Sequence, residues 1–160
     1  MIRILFVCLG NICRSPTAEG VMRTLVKARN LDGQIALDSA GTGDWHVGQA
    51  PDRRAQAACR RAEVDISMHR ARQVCREDFS RFDLILACDR ENLRDLQRMS
   101  PAGAAARIRM LRDYDASAPG EDVPDPYYGS AEDFDETVRI CRTACEGLLA
   151  QILNKRGETH

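Results

Sequence analysis

Apolar residues along the chain fall into short continuous runs and into longer stretches where they recur at helical spacing. A run of the first kind is typical of a strand in a parallel sheet and predicts a strand at residues 2–7. Three further strands are predicted at residues 34–39, 82–88 and 107–111. Apolar residues three and four positions apart predict amphipathic helices at residues 15–29 and 130–155. Asp52 is the predicted cap of a helix at residues 52–62, and Asp89 opens another helix. Ser15 is the predicted N-cap of the first helix, and Pro16 lies in its first turn.

The order of these elements predicts the fold class. Helices between the strands imply right-handed crossover connections, so the strands lie parallel. We expect an α/β fold, an open, doubly wound four-stranded parallel sheet with helices on both faces, of Rossmann-like form. The 160 residues, 44% of them hydrophobic, suit one domain at 1–157 with a flexible tail at 158–160. The stretch 112–129 is a long, acidic, proline-bearing loop, and loops of this length often carry function.

Composition and charge exclude several classes of partner. A net charge of −1 gives no overall reason to expect nucleic acid or an anionic membrane. No apolar run approaches the length of a signal-peptide core or a membrane span. Seven cysteines, an odd number without an export signal, indicate reduced thiols and a cytoplasmic location. Cys141 and Cys145 share a helical face without a nearby histidine, and we expect neither a metal nor a cofactor.

The loop after the first predicted strand combines a cysteine, an arginine and a helix N-terminus. Its backbone N–H groups and the positive end of the helix dipole form an anion cradle. The loop lacks the glycines and the lysine of nucleotide-binding loops, so the expected anion is small. Five residues separate Cys8 from Arg14, which lets the loop curl until the guanidinium grips a tetrahedral oxyanion above the thiol. Cys8 is then a thiolate nucleophile, and the chemistry is phosphoryl transfer through a phosphocysteine.

This chemistry needs a general acid for the leaving oxygen, and the long loop offers two carboxylates. Asp125 lies between two prolines that stiffen its backbone, and Tyr127 and Tyr128 follow at once. A rigid carboxylate beside aromatic surface suits an aryl leaving group. Asp122 is the competing candidate, and spacing alone does not decide between them.

Three segments together resemble the low-molecular-weight protein tyrosine phosphatases: CLGNICRSPTAE after the first strand, then SAGTGDWHVGQAPD, and DPYY near the C-terminus. The resemblance covers essentially the whole chain and is far more specific than a cysteine and an arginine at this spacing. It implies metal-independent hydrolysis of protein phosphotyrosine and small aryl phosphates. It also implies that Cys8 is the nucleophile, that Arg14 binds the phosphoryl oxygens, and that Asp125 is first the acid and then the base for the hydrolytic water.

The same resemblance implies supporting roles around the nucleophile. The phosphate-binding loop comprises Leu9, Gly10, Asn11, Ile12, Cys13 and Ser15. Asn11 is expected to hold the loop in a strained shape, Ser15 to stabilise the thiolate, and Ser39 and His69 to support Asn11 from outside the loop. The slot for a phosphotyrosine ring is lined by Leu9, Trp45, Tyr127 and Tyr128.

Other reactive or charged residues receive simpler interpretations. Cys13 is expected to trap an oxidised Cys8 as a disulfide and so protect it. The remaining cysteines are expected to be core residues: Cys59, Cys75, Cys88, Cys141 and Cys145. His46 and His160 are expected to be exposed. A further group of arginines is expected on solvated faces: Arg53, Arg54, Arg60, Arg61, Arg70, Arg72 and Arg76.

Two alternative functions stay open on the sequence. Thioredoxin-coupled arsenate reductases share this fold and loop, but relay oxidation through two further cysteines close together, whereas Cys75 and Cys88 are far apart. A phosphotyrosine-binding module or phosphocysteine carrier would keep the cradle without hydrolysis. The expected partner is a tyrosine-phosphorylated protein, and the chain is expected to be monomeric or weakly self-associating.

Overall fold

The computed structural model describes residues 1–158, apart from the side chain of residue 158. Its strands are β1 Ile2–Cys8, β2 Ile35–Gly41, β3 Leu84–Ala87 and β4 Arg107–Met110. Its helices are α1 Arg14–Ala28, α2 Arg53–Arg61, α3 Asp78–Arg81, α4 Arg90–Met99 and α5 Ala131–Glu158, with a 3-10 turn at Leu111–Tyr114. None of the helices in this part of the chain is long and apolar enough to cross a membrane.

The strands form one parallel sheet in the order β2-β1-β3-β4. β1 pairs with both neighbours, placing Cys8 opposite Gly41 of β2 and Val7 opposite Ala87 of β3. After β1 the chain moves outward to β2, then crosses back to build β3 and β4 on the other side. The loops after β1 and β3 therefore diverge and open a crevice at this switch point. The predicted doubly wound α/β fold is confirmed.

Each face of the sheet has its own hydrophobic core. Ile4 and Phe6 of β1 pack with α1 and α5 on one face, while Leu5 and Val7 pack with Phe79 of α3 and with α4 on the other. A pleated strand buried on both faces needs apolar side chains at every position, and residues 4–7 are all fully buried. The continuous apolar run in the sequence is the direct consequence.

Several predicted boundaries differ from the observed ones, and three of the differences have a clear structural reason. Helix α1 begins at Arg14 with Cys13 in the N-cap position, so Ser15 is not a cap; its buried hydroxyl contacts Cys8 instead. Strand β2 continues to Gly41, because its last residues pair with the end of β1. Strand β3 is shorter than residues 82–88, since Phe82 closes the short helix α3 by donating its N–H to the carbonyl of Asp78.

The cysteines all lie within residues 1–158 and are free thiols. Four of the five expected in the core are buried: Cys59, Cys88, Cys141 and Cys145. The expectation is wrong for Cys75, which is exposed. Cys75 lies in the turn before α3, where the turn is anchored by its backbone N–H donating to Asp78 at 2.8 Å, so the side chain is free to face solvent.

Helix α5 runs one residue into the predicted tail, since it ends at Glu158. Residues 159–160 lie outside the described residues, so the expected exposure of His160 stays a prediction. The single domain at 1–157 stays a prediction.

Gly147 lies where α5 passes the 3-10 turn, and a Cβ at this position would overlap the carbonyl oxygen of Tyr114. We expect Gly147→Ala to lower the free energy of unfolding by roughly 1–3 kcal/mol, because two backbone segments would have to separate. Gly157→Ala in the same helix is the matched control, since nothing lies within 4 Å of its Cβ position. Urea unfolding measures both, and equal stabilities would contradict the close approach.

Candidate active site

The loop between β1 and α1 curls over the end of its own strand. Cys8 is the last residue of β1, and only 2% of its surface is exposed. The backbone N–H of Asn11 donates to Cys8 Sγ at 3.3 Å. The loop then enters the N-terminus of α1, whose dipole adds partial positive charge. Both features favour a negatively charged sulfur.

Asn11 shapes this loop through its backbone and four side-chain hydrogen bonds. Its φ of 58° lies in the left-handed region, which asparagine tolerates better than most residues. Its Oδ1 accepts the backbone N–H of Arg72 at 3.0 Å, and this donor cannot reverse its role. The amide orientation is therefore determined, and its NH₂ donates to Ser15 Oγ at 2.8 Å and to Ser39 Oγ at 3.0 Å.

The direction of these bonds decides where the Ser15 proton lies. Because Ser15 Oγ accepts from Asn11, its own O–H is left to donate. The nearer acceptor is Cys8 Sγ at 3.0 Å, and the carbonyl of Ala40 lies further away at 3.4 Å. A hydroxyl that donates to sulfur stabilises the thiolate relative to the thiol.

Three further side chains support Asn11. His69 Nε2 lies 3.0 Å from Asn11 Oδ1 and must be the donor, because that oxygen carries no hydrogen. Ser39 accepts from Asn11 and donates its own proton to Glu19 Oε1 at 2.6 Å. The same Glu19 oxygen lies 3.7 Å from His69 Nδ1. Burial lowers the pKa of His69, and the charge of Glu19 opposes that shift.

Arg14 is buried, with 3% of its surface exposed, and is fixed by two acceptors, one after β3 and one in the long loop before α5. Its Nη1 donates to Asp89 Oδ2 at 2.6 Å and to the carbonyl of Val123 at 3.1 Å. Asp89 is itself fixed, because its other oxygen caps α4 by accepting the N–H of Asn92. Nη2 and Nε of Arg14 have no hydrogen-bond acceptor within residues 1–158. Since Arg14 lines the cavity that contains Cys8, these donors can hold an anion there.

The two candidate acids lie in different places. Asp125 lines the same cavity as Cys8, its Oδ2 is 3.8 Å from Arg14 Nη2, and 47% of its side chain is exposed. Asp122 does not line this cavity; it accepts the backbone N–H of Arg90 at the start of α4. The geometry therefore favours Asp125 as the carboxylate that can reach a bound anion.

The cavity above the loop has a volume of about 250 Å³ and aromatic walls. Trp45 is 67% exposed and Tyr128 is 95% exposed, so both side chains present aromatic surface to solvent. The ring of Tyr127 meets that of Tyr128 edge to face at 5.0 Å, and the Arg54 guanidinium lies 5.5 Å from the centre of the Tyr127 ring. The remaining predicted loop residues on the lining are Leu9, Gly10, Ile12 and Cys13.

Sequence reasoning missed several contributors. Asp89 was detectable, because it directly follows the strand beside β1, and the carboxyl ends of neighbouring parallel strands meet. Arg72 was expected on a solvated face but is half-buried between Asp38 and Asp78. His46 was expected to be exposed, yet it is half-buried and lines the cavity. Glu19 ends the segment CLGNICRSPTAE that carries the family resemblance, but its contacts with Ser39 and His69 arise only in the fold.

Positive charge at this site comes from the protein itself, through Arg14 and the N-terminus of α1. Within residues 1–158, no three histidine, cysteine or acidic side chains are grouped so as to hold a metal ion. Independence from metals stays a prediction.

Comparisons with known proteins agree with one another. The family model for the low molecular weight phosphotyrosine protein phosphatases matches residues 3–158. The chain is 43% identical over 156 residues to the low molecular weight protein-tyrosine-phosphatase YfkJ of Bacillus subtilis, covering 98% of this chain and 99% of that protein. It is 43% identical over 148 residues to the human low molecular weight phosphotyrosine protein phosphatase, covering 91% of this chain and 92% of the human protein. A solved protein tyrosine phosphatase from Entamoeba histolytica is similar at a TM-score of 0.92 and 35% identity, covering 98% of this chain and 99% of that one.

Ser15→Ala removes the hydroxyl that donates to Cys8. Since a hydrogen bond to a charged group contributes about 1.5 kcal/mol or more, we expect the pH dependence of the reaction of Cys8 with iodoacetamide to move to higher pH in the variant, with slower reaction on the acid side of the profile. Mass spectrometry of the peptide that contains Cys8 measures the rate. Thr17→Val is the control, because that buried hydroxyl donates to the carbonyl of Cys13 rather than to the sulfur. Equal rates in all three proteins would remove Ser15 from thiolate stabilisation.

Proposed function

This chain belongs to the low molecular weight phosphotyrosine protein phosphatase family, and we propose that it hydrolyses protein phosphotyrosine through a phosphocysteine on Cys8. Its enzyme class, protein-tyrosine phosphatase, follows from the family. The observation that carries the assignment of roles is that Cys8, Arg14 and Asp125 line one cavity. A nucleophile, a fixed cation and a carboxylate are the three groups that this reaction needs.

In the first half of the reaction, the Cys8 thiolate attacks the phosphorus of a bound aryl phosphate. The S–P bond forms while the bond from phosphorus to the phenolic oxygen breaks. Protonated Asp125 donates its proton to the departing oxygen, so the product is a neutral phenol. The loop N–H groups and Arg14 stabilise the negative charge on the three equatorial oxygens. Here they supply the positive charge that metal ions supply in two-metal phosphatases.

In the second half, water hydrolyses the phosphocysteine. Ionised Asp125 accepts a proton from the water as its oxygen attacks phosphorus, and the S–P bond breaks. Cys8 leaves as a thiolate, to which the hydroxyl of Ser15 and the backbone N–H of Asn11 donate. Inorganic phosphate departs and the initial state returns.

The aromatic walls support an aryl phosphate as the substrate. A phenyl ring between Trp45 and Tyr127 would bury apolar surface that now faces water. The ring of Tyr127 already contacts the Arg54 guanidinium and the Tyr128 ring in this ligand-free structure. Because the rims are exposed, a tyrosine within an accessible protein segment can enter, and a tyrosine-phosphorylated protein is the proposed partner.

Neither alternative left open by the sequence is favoured. Arsenate reduction in this fold needs two relay cysteines close together, whereas Cys75 is exposed before α3 and Cys88 is buried at the end of β3. A binding module that does not hydrolyse would need Arg14 for the phosphate but would have no use for Asp125, whose carboxylate lines the same cavity.

We also propose a cytoplasmic location, which is supported by the seven free thiols. The monomeric or weakly self-associating state remains a prediction. Size-exclusion chromatography across a range of protein concentrations measures it.

Hydrolysis of phenyl phosphate and of p-nitrophenyl phosphate, in the presence of EDTA, tests the proposed roles. Cys8→Ser should lose turnover, because a serine hydroxyl is not ionised at neutral pH. Asp125→Ala should lower kcat by roughly 10² to 10⁴ with phenyl phosphate. The loss should be smaller with p-nitrophenyl phosphate, whose phenol leaves more readily without a proton. The alkaline limb of the wild-type pH profile should disappear in Asp125→Ala.

Asp122→Ala is the matched control, since this carboxylate lies in the same loop but contacts the N–H of Arg90. We expect its kcat to stay near that of the wild type with both esters. Turnover retained by Cys8→Ser would overturn the phosphocysteine route. A larger loss in Asp122→Ala than in Asp125→Ala would transfer the acid role to Asp122.

Cys13 is the proposed partner of Cys8 under oxidation. It is buried in the same loop; burial raises its pKa, and the charges of Asp52 and Cys8 raise it further. Cys13 is therefore a neutral thiol. A peroxide converts the Cys8 thiolate to a sulfenic acid, which removes that neighbouring charge. Cys13 can then attack the sulfenic sulfur, forming the S–S bond and releasing water.

Peroxide treatment followed by a thiol reductant tests this protection. The wild type should recover its activity, while Cys13→Ser should lose it irreversibly as Cys8 proceeds to sulfinic acid. Cys75→Ser is the control, because that thiol is exposed and lies outside the loop. Full recovery by Cys13→Ser would refute the role.

A further inference from the structure

A second cavity lies at the opposite end of the sheet from Cys8. Its volume is about 530 Å³, and it is bounded by the amino ends of β1, β3 and β4 and by the last turns of α5. Strand β1 runs from Ile2 at this cavity to Cys8. At about 3.3 Å per residue, the two ends of the strand are roughly 20 Å apart. The proposed phosphatase reaction uses no residue of this cavity.

The floor of the second cavity is apolar. Leu84, Leu148 and Ile152 line it while being only 8%, 1% and 8% exposed, so their side chains form a packed base rather than a mobile surface. Tyr114, which is half-buried, also lines it. Sites for small organic molecules have this composition and span roughly 300–1,000 Å³.

The rim of the second cavity is positively charged. Three cations line it, Arg107 on β4 and Lys155 and Arg156 on α5, against the single carboxylate of Asp83. One oxygen of Asp83 already accepts the backbone N–H of Arg3 at 2.8 Å. Arg107 and Lys155 form no ion pair with any carboxylate of residues 1–157, the part of the chain whose side chains the structure describes. Within that part, two exposed cations lie beside an apolar floor without an ion-pair partner.

We propose that this cavity binds a small amphipathic organic anion, an aryl or short acyl group that carries a carboxylate, sulfonate or phosphate. The apolar body would cover the floor residues, and the anionic end would pair with Arg107 and Lys155. Burial raises the pKa of Tyr114, so its hydroxyl remains a neutral donor beside these cations. Because the floor offers nothing to an ion without an apolar body, inorganic phosphate is not a ligand of this site.

The probe for the test is 8-anilinonaphthalene-1-sulfonate, with the Cys8 loop saturated by vanadate. Titration followed by ¹H–¹⁵N NMR should give saturable shifts at the backbone amides of Leu84, Arg107 and Lys155, and none at Asn11. The double variant Arg107→Gln/Lys155→Gln should raise the Kd of the probe roughly tenfold, the effect of losing two partly exposed ion pairs. Both substituted side chains are exposed, so the fold should be retained.

Arg60→Gln/Arg94→Gln is the matched control, since it removes the same charge from exposed residues that do not line the cavity. We expect an unchanged Kd for this variant, and no displacement of the probe by inorganic phosphate. Shifts confined to Trp45 and Tyr127, or the absence of saturable shifts at the cavity, would overturn the proposal. An equal rise of Kd in the control variant would do the same, because binding would then depend only on net charge.

Discussion

The side-chain amide of Asn11 is the interaction on which the rest of the candidate site depends. An amide presents an acceptor on one side and donors on the other, so any contact that orients it also orients its partners. Here the backbone N–H of Arg72 donates to the Asn11 amide oxygen, and the NH₂ group is turned towards Ser15 and Ser39. The Ser15 proton is thereby directed at Cys8. The left-handed backbone of Asn11 costs about 1 kcal/mol or more, which its four hydrogen bonds can offset.

The donor that orients Asn11 must itself be held in place, and the edge of the sheet does this. The carbonyl of Arg72 accepts the N–H of Gly41, and the carbonyl of Gly41 accepts the N–H of Val74. The Arg72 guanidinium then bridges Asp38 of β2 and Asp78 of α3, which is fully buried. Burial alone would raise the pKa of Asp78, but its bonds to Arg72 and to the N–H of Cys75 lower it overall. Loss of Arg72 would leave a buried, unpaired charge, a severe penalty.

The predictable part of this protein is the part encoded over short distances in the chain. The cysteine, the arginine and the helix N-terminus lie within one loop, and the buried strands are continuous apolar runs. Ser15 shows the limit of local rules, since its position suits a helix cap but the fold uses its hydroxyl for Cys8. Asp89 lies 75 positions from Arg14, and Arg72 lies 61 positions from Asn11. Such pairs become neighbours only when the sheet assembles.

The depth at which Cys8 lies in its cavity, rather than a particular contact, accounts for the proposed preference for aryl phosphates. The Cys8 sulfur lies at the base of the cavity with 2% exposure, whereas Trp45 at the rim is 67% exposed. A phosphate on tyrosine is carried a full ring length from the substrate backbone, so it can reach the sulfur while the backbone stays outside the rim. A phosphate on serine is carried by one methylene group, and reaching the same point would bring the substrate backbone against Trp45 and Tyr127. Under the proposed function, those two rings would therefore select the substrate twice, by covering a phenyl ring and by excluding a short side chain.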